Sequence, residues 1–432
     1  MLKRKILHIT PHLGGGVGTV VKNWLLEELS DTENEHRIIS LEVNKNPIDP
    51  RLNVLQGMYN EIEKIMFLIN ASDIVLIHWW NHPLLFDLII NHTWPDCRIV
   101  MWSLASCLFP PYVHSEKLLK FSDRFIFSSP VSYDTQEIKD LPAEQSIKID
   151  VIWAAGDTSR YYGINKKSHE GFQVGTIIGS ADYSKLNPAF ATLCSKVTNQ
   201  NIRFTIICSE AFAKQLASDI DKAGITERVE LIPFVSDILP YLQTFDVFGY
   251  PLQPYHFGTC EVAIGEAMMA GIVPVVLNNP AERYIINHGV DGFIAESIEE
   301  YAGYIEYLYQ NPDIRKTMAK AAIQSACKKY TLSEVIQKWR KEFKNIMDLP
   351  KSIKRWPVSY GLEKPVPGYM VFTEALGRYG KIFENKTESQ EAIINLFQSN
   401  PQWCSENKGG VQQYLRYFTN DCYLREWVGL IK

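Results

Sequence analysis

The stretch Tyr255–Leu277, YHFGTCEVAIGEAMMAGIVPVVL, combines a Gly-Thr turn, a short helical pattern with Glu261 and Glu266, a glycine stop and an apolar strand. Thr259 is expected to cap the helix, its hydroxyl accepting from a backbone N–H that the first turn leaves unpaired. Such a helix end suits a phosphate, and Gly258 removes the side chain that would block its approach. Glu266, one turn further in, would be repelled by a diphosphate unless it accepts hydrogen bonds from sugar hydroxyls such as those of a ribose. Together these types and spacings point to a nucleoside diphosphate. The plainer reading is a β–α–β unit with two solvated glutamates.

Beyond that pattern, the run Glu266-Ala267-Met268-Met269-Ala270-Gly271-Ile272-Val273-Pro274-Val275-Val276 resembles the C-terminal motif of the GT4 family of retaining glycosyltransferases. Asn279-Pro280-Ala281-Glu282 and Asn287-His288-Gly289-Val290-Asp291-Gly292-Phe293 continue the likeness in order and spacing. The first half of the motif departs: Phe257-Gly258 lies three residues further from Glu266 than in the family, and no glutamate precedes Phe257. Glu261 or His256 then stands where the family places a glutamate near the transferred sugar, beside Gly258, Thr259 and Cys260. The resemblance also implies that Lys185, in Gly179-Ser180-Ala181-Asp182-Tyr183-Ser184-Lys185, grips the diphosphate, with Ser180 replacing an arginine. A hydroxyl cannot reproduce a bidentate guanidinium. Asp73–His78 resembles a strand that ends in a functional histidine, so His78 is a candidate catalytic residue and Trp79 with Trp80 an acceptor platform. The next strand, Val100–Ser106, lacks the family's following histidine.

These residues need a scaffold. Lys5–Thr10 reads as a strand that enters Pro11–Thr19, after which Val17, Val20, Val21, Trp24, Leu25 and Leu29 recur at helical spacing. The resemblance implies that Gly15, Gly16 and Gly18 let substrate approach this loop, with His12 pointing at it. No acidic residue clearly closes the second strand as a dinucleotide site would require. Further apolar strands at Ile74–His78, Arg98–Trp102, Arg124–Ser128 and Val151–Trp153, then at Gln173–Gly179, Phe204–Cys208, Val229–Ile232, Val247–Tyr250 and Val273–Leu277, imply parallel sheets wound with helices. With the resemblance, the expected fold is α/β of the GT-B type: two Rossmann-like doubly wound parallel-sheet domains facing a cleft, plus a mainly helical C-terminal extension. The boundaries drawn are 1–157 for an acceptor-side domain and 172–330 for a nucleotide-sugar domain. By the resemblance, residues 331–349 are expected to form a helix crossing back to the first domain, and 350–432 the extension.

The chain has 432 residues, a net charge of −5 and 46% hydrophobic content, so nucleic acid is not an expected partner. No apolar run is long enough to span a bilayer, and the basic start leads into a strand rather than a signal-peptide core, so a cytoplasmic setting is expected. Eight scattered cysteines show no zinc spacing and are expected to be reduced, buried and inert. From Pro350 onward eleven Lys plus Arg face eight Asp plus Glu. This module reads first as a helical cap. A sharper reading rests Lys351, Lys354, Arg355 and Trp356 on an anionic membrane, as a peripheral contact near a lipid-linked acceptor.

The reaction implied by the resemblance moves a sugar from a UDP- or GDP-sugar to a hydroxyl of a sugar or lipid-linked sugar, with retention. It uses no cofactor and no metal, and its setting by analogy is surface polysaccharide or glycolipid synthesis. The rivals are a GT-B epimerase or hydrolase of nucleotide sugars, a non-catalytic nucleotide-sugar binder, and more distantly a dehydrogenase.

Overall fold

The computed structural model describes residues 3–146, 148–179, 182–357, 364–384 and 390–431. The chain divides into two compact units, the first made of Met1–Ile152 and Ile336–Lys432, the second of Trp153–Val335.

Unit 1 contains β1 (Arg4–Thr10), β2 (Asn34–Ser40), β3 (Val54–Leu55), β4 (Ile74–Trp79), β5 (Trp94–Cys97), β6 (Ile99–Ser103), β7 (Arg124–Phe127) and β8 (Ile149–Val151). Seven of these form one parallel sheet in the order β3-β2-β1-β4-β6-β7-β8. The central strands β4 (IVLIHW) and β6 (IVMWS) are buried at every position. That is the continuous apolar run expected of a strand covered on both faces, without the alternation of a half-exposed one. The Gly15–Glu27 helix turns Val20, Val21, Trp24 and Leu25 into this core. Trp24 stacks on Trp339 of the Leu332–Ile346 helix at 5.0 Å between ring centres, and Arg124 pairs with Glu342 at 2.6 Å. These contacts explain why the chain from Ile336 onward folds with unit 1.

The C-terminal extension docks on the same unit. Strand β15 (Ser352–Lys354) runs antiparallel to β5. Lys354 is buried against Asp123 at 2.5 Å, Lys351 donates to the carbonyl of Ser72 at 2.6 Å, and the Trp356 indole donates to Glu374 at 3.0 Å. Three of the four residues expected to rest on a membrane therefore point into the protein, and Arg355 alone stays exposed. The cause is burial: Trp356 is only 2% exposed, and covering its ring outweighs leaving it at a surface. Among the described residues no helix is long and apolar enough to cross a membrane.

Unit 2 holds β9 (Phe172–Gly179), β10 (Ile202–Cys208), β11 (Val229–Pro233), β12 (Val247–Tyr250), β13 (Val273–Leu277) and β14 (Phe293–Ala295). Their order, β11-β10-β9-β12-β13-β14, is the doubly wound arrangement again. In both units the direction of winding reverses beside the first strand, between β1 and β4 and between β9 and β12. Open α/β sheets bind ligands outside the carboxyl ends of their strands at such a reversal. Each reversal here is occupied by residues singled out from the sequence.

Candidate functional site

In unit 2, β9 ends at Gly179, and the chain returns through Lys185 to the segment after β12. The N–H of Gln253 donates to the carbonyl of Lys185 at 2.9 Å and that of Asn187 to Pro251 at 3.0 Å, with Leu186 bridging Leu252. This clasp sets the Lys185 ammonium beside the end of β12. Nζ of Lys185 lies 2.9 Å from Oε2 of Glu261, and the Tyr250 hydroxyl donates to the same carboxylate oxygen at 3.0 Å. His256 completes the group, with Nδ1 3.7 Å from Glu261 and Nε2 3.2 Å from Glu282. Glu282 is fully buried and also accepts from Asn279 at 3.3 Å.

Glu261 takes a left-handed backbone conformation, φ 38° and ψ 70°, and immediately precedes the Val262–Met269 helix. A non-glycine residue held there stores on the order of 1–3 kcal/mol of strain, and such residues cluster where a side chain must be aimed. Gly258 answers that aim, because a Cβ on it would fall 1.8 Å from Oε1 of Glu261. The helix therefore begins two residues later than a Thr259 cap would start it, with Glu261 in the cap position. The left-handed turn at Glu261 breaks the run, and Thr259 is a buried residue of the preceding turn.

Burial opposes charge on Glu261, but Lys185 and then His256 override it and hold the carboxyl below its ordinary pKa. Burial likewise opposes charge on Lys185, and the Glu261 carboxylate raises its pKa instead. For His256 burial is again the largest influence, yet Glu282 and Glu261 raise its pKa. In its neutral form the ring accepts at Nδ1 from the N–H of Gly258, 3.1 Å away, and donates from Nε2 to Glu282.

Glu266 lies inside the helix, and among the described residues no ion pair to it is present. Burial pushes its pKa up to about 7, against the opposing field of Arg160. The helix is pinned from below, since Gly265 rests on the ring of Tyr330, where a Cβ would come within 2.6 Å. The Tyr330 hydroxyl donates to the carbonyl of Cys260. Cys260 turns its thiol inward, where Sγ accepts from the N–H of Ala154 at 3.3 Å, so it positions this turn rather than facing a ligand. Ser180 lies outside the described residues.

Unit 1 places its candidates differently. His78 is fully buried, stacked on His8 at 5.2 Å and bonded to it through Nε2 at 2.9 Å. Burial depresses its pKa to about 3. The side chain of His78 faces the core from β4 and no part of it is exposed in this structure. Trp79 is also fully buried, against Phe86 and His114, and offers no face for a sugar. The strand is covered on both sides, so neither parity of its pleat reaches solvent. Gly15 and Gly16 are exposed, whereas Gly18 is a packing glycine whose Cβ would lie 2.0 Å from the carbonyl of Leu13. His12 is half-buried between Trp80 and His82, with ring centres 5.3 Å and 5.9 Å away. The cysteines are all free, and Cys422 is exposed, contrary to the expectation of uniform burial.

Four participants escaped the sequence reading. Tyr250 closes an apolar strand and could have been found from its place at the carboxyl end of β12. Glu282 and Asn279 were seen only as motif letters, and nothing in their spacing shows that they hold His256. Arg160 approaches Glu266 from a polar stretch that reads as a linker.

Residues 157–325 match the family model described as glycosyl transferases group 1. No curated protein matches the sequence. Among solved structures, the chain is similar to Anabaena Alr3699/HepE in complex with UDP, with 15% identity and a TM-score of 0.62 over 80% of this chain and 100% of that one. It is similar to a glycosyltransferase from Rickettsia africae, at 16% identity and TM-score 0.60 over 80% and 99% of the two chains. The sucrose-phosphate synthase of Thermosynechococcus elongatus aligns at 12% identity and TM-score 0.60 over 80% and 100%. At these identities the likeness establishes the GT-B fold.

Proposed function

We propose, from the premise that unit 2 carries a group 1 glycosyltransferase domain, that the protein transfers a hexosyl group from a UDP- or GDP-sugar to a hydroxyl acceptor with retention of configuration. One observation carries the reading. Lys185, Glu261 and Tyr250 converge at the carboxyl ends of β9 and β12, with Glu266 one turn into the adjoining helix, inside the segment matching the family.

A lysine ammonium has three donors. With Glu261 and Tyr250 on one side, Lys185 still has donor capacity for a phosphate oxygen. Placed there, it stabilises the charge that develops on the departing diphosphate as the bond between the anomeric carbon and the phosphate oxygen breaks. The acceptor oxygen forms the new glycosidic bond, and its proton passes to the diphosphate, so no separate protein base is assigned. Glu261, aimed by its strained backbone, faces the transferred sugar, while Glu266 accepts from the ribose diol. Lys185 supplies the cation at the diphosphate in this step, and no metal is assigned to it. We assign the acceptor to a surface polysaccharide or glycolipid precursor made in the cytoplasm, by analogy with the fold. UDP is the first nucleotide to try, since Alr3699/HepE was crystallised with it.

Calorimetric titration of UDP, GDP, ADP and CMP and their sugar conjugates into the intact chain, with chelator present, tests the proposal. Binding of one nucleoside diphosphate, weakened about tenfold or more by Lys185→Ala and by Glu266→Ala, is expected for the loss of a charged hydrogen bond of about 1.5–3 kcal/mol. Unchanged donor binding in both variants would refute the assignment.

A further inference from the structure

We propose that His12, Glu42 and His82 of unit 1 form a binding site for one divalent transition-metal ion of the zinc type. Each offers one ligand atom, and the three atoms lie within 4.8 Å of one another. They come from three separate strand ends at the reversal of winding: His12 follows β1, Glu42 follows β2 and His82 follows β4. Two imidazole nitrogens and one carboxylate oxygen suit zinc or a neighbouring first-row ion. Magnesium and calcium prefer sets made of oxygen alone.

A second observation is independent of the spacing. His82 is 1% exposed, and its Nδ1 has no hydrogen-bond partner among the described residues. Buried polar atoms in native proteins are usually paired with protein, water or an ion, so Nδ1 of His82 is open to a ligand. The carboxylate is held from behind as well. The Tyr417 hydroxyl, supplied by the Val411–Tyr417 helix of the C-terminal extension, donates to Oε1 of Glu42. Outer partners of this sort fix a ligand's orientation and raise its affinity for the metal.

The space favours an ion over a sugar. Trp80 is 9% exposed and His82 1%, so neither presents a ring face on which a pyranose could stack. Ligands of tetrahedral zinc sit roughly 3.4 Å apart. His12 and Glu42 are both half-buried and can close that distance by side-chain rotation. Lys45 and Arg416, the nearby cations, are exposed and screened by water. Binding would also reach the glycine loop: Gly14 N–H lies 3.1 Å from Nδ1 of His12, and that contact gives way when the ring takes up a metal. The ion would thus tie three strand ends together and reset the Gly14–Gly16 backbone.

The test uses the full chain, stripped with chelator and dialysed, and titrated with zinc chloride by calorimetry and with cobalt chloride by visible absorption. One ion per chain is expected, with a tetrahedral cobalt spectrum and a zinc-dependent rise in melting temperature. His12→Ala and Glu42→Gln should each weaken binding by about tenfold or more, and Tyr417→Phe by about 10–100-fold with stoichiometry unchanged. Circular dichroism establishes that each variant is folded, and Glu42→Gln decides the matter if His12→Ala is not. Failure of the wild type to take up stoichiometric zinc overturns the proposal. So does wild-type affinity in a folded His12→Ala or Glu42→Gln chain, which would place the ion elsewhere, for instance at Glu28, Asp31 and His36.

Discussion

Glu266→Gln should stabilise the ligand-free protein at pH 8 while weakening its hold on nucleotide. Burial raises the Glu266 pKa from 4.5 to about 7. The folded state therefore binds a proton more tightly than the unfolded one. Stability contributed by this group is full below about pH 4.5 and declines as pH rises to about 7. At about 1.4 kcal/mol per unit, the ionised carboxylate costs roughly 3 kcal/mol, or about 1–3 after allowing for the part of the side chain that water reaches. Glutamine keeps the shape without the charge and should recover that amount at pH 8 but not at pH 4. The same shift sets the pH dependence of binding. With a pKa near 7 the carboxylate fraction falls from about nine-tenths at pH 8 to about one-tenth at pH 6. If the ribose diol donates to the ionised form, nucleotide affinity falls about tenfold over that interval. Urea unfolding at pH 4 and pH 8, with calorimetry of UDP and 2′-deoxy-UDP at pH 6 and pH 8, measures both effects. Destabilisation of Glu266→Gln at pH 8, or an unchanged pH profile of binding in the variant, would refute the reasoning.

Lys185→Ala should lower stability by about 3 kcal/mol, since it strands the buried Glu261 carboxylate. The double variant Lys185→Met/Glu261→Gln should recover much of that loss but none of the donor binding, and equal recovery of both would argue against a phosphate role. Gly258→Ala should abolish turnover through the 1.8 Å collision with Glu261, while the melting temperature of unit 2 changes far less than activity does. His78→Ala, by contrast, should cost about 2–4 kcal/mol in denaturant unfolding with the donor KM unchanged, because it removes a core ring. Trp356→Ala should release the C-terminal extension, read as faster proteolysis after Pro350. Co-sedimentation with anionic vesicles should not fall in that variant, as it would if this tryptophan touched the membrane.

The sequence by itself showed the central strands of both sheets, though not the short edge strands β3 and β14. Short, β-branched apolar runs such as IVLIHW and VPVVL suit strands covered on two faces, and their alternation with helical segments favours a parallel winding. It also located the Gly258–Glu266 segment, since glycine, carboxylate and helix period are properties read along the chain. Tertiary structure alone decided which of these residues work together. The pairing of Lys185 with Glu261 needs the clasp between the loops after β9 and β12, which brings residues 76 positions apart to 2.9 Å. The start of the helix at Val262 rather than at a Thr259 cap depends on a left-handed turn that Lys185, Tyr250 and His256 hold in place. His78 and Trp79 looked like a ligand-facing edge because a strand's sequence does not reveal how far its cover extends. Lys354 and Trp356 looked like surface for the same reason. Residue type fixes what a side chain can do, but burial and partners, which depend on chain segments far apart in sequence, fix whether it does it.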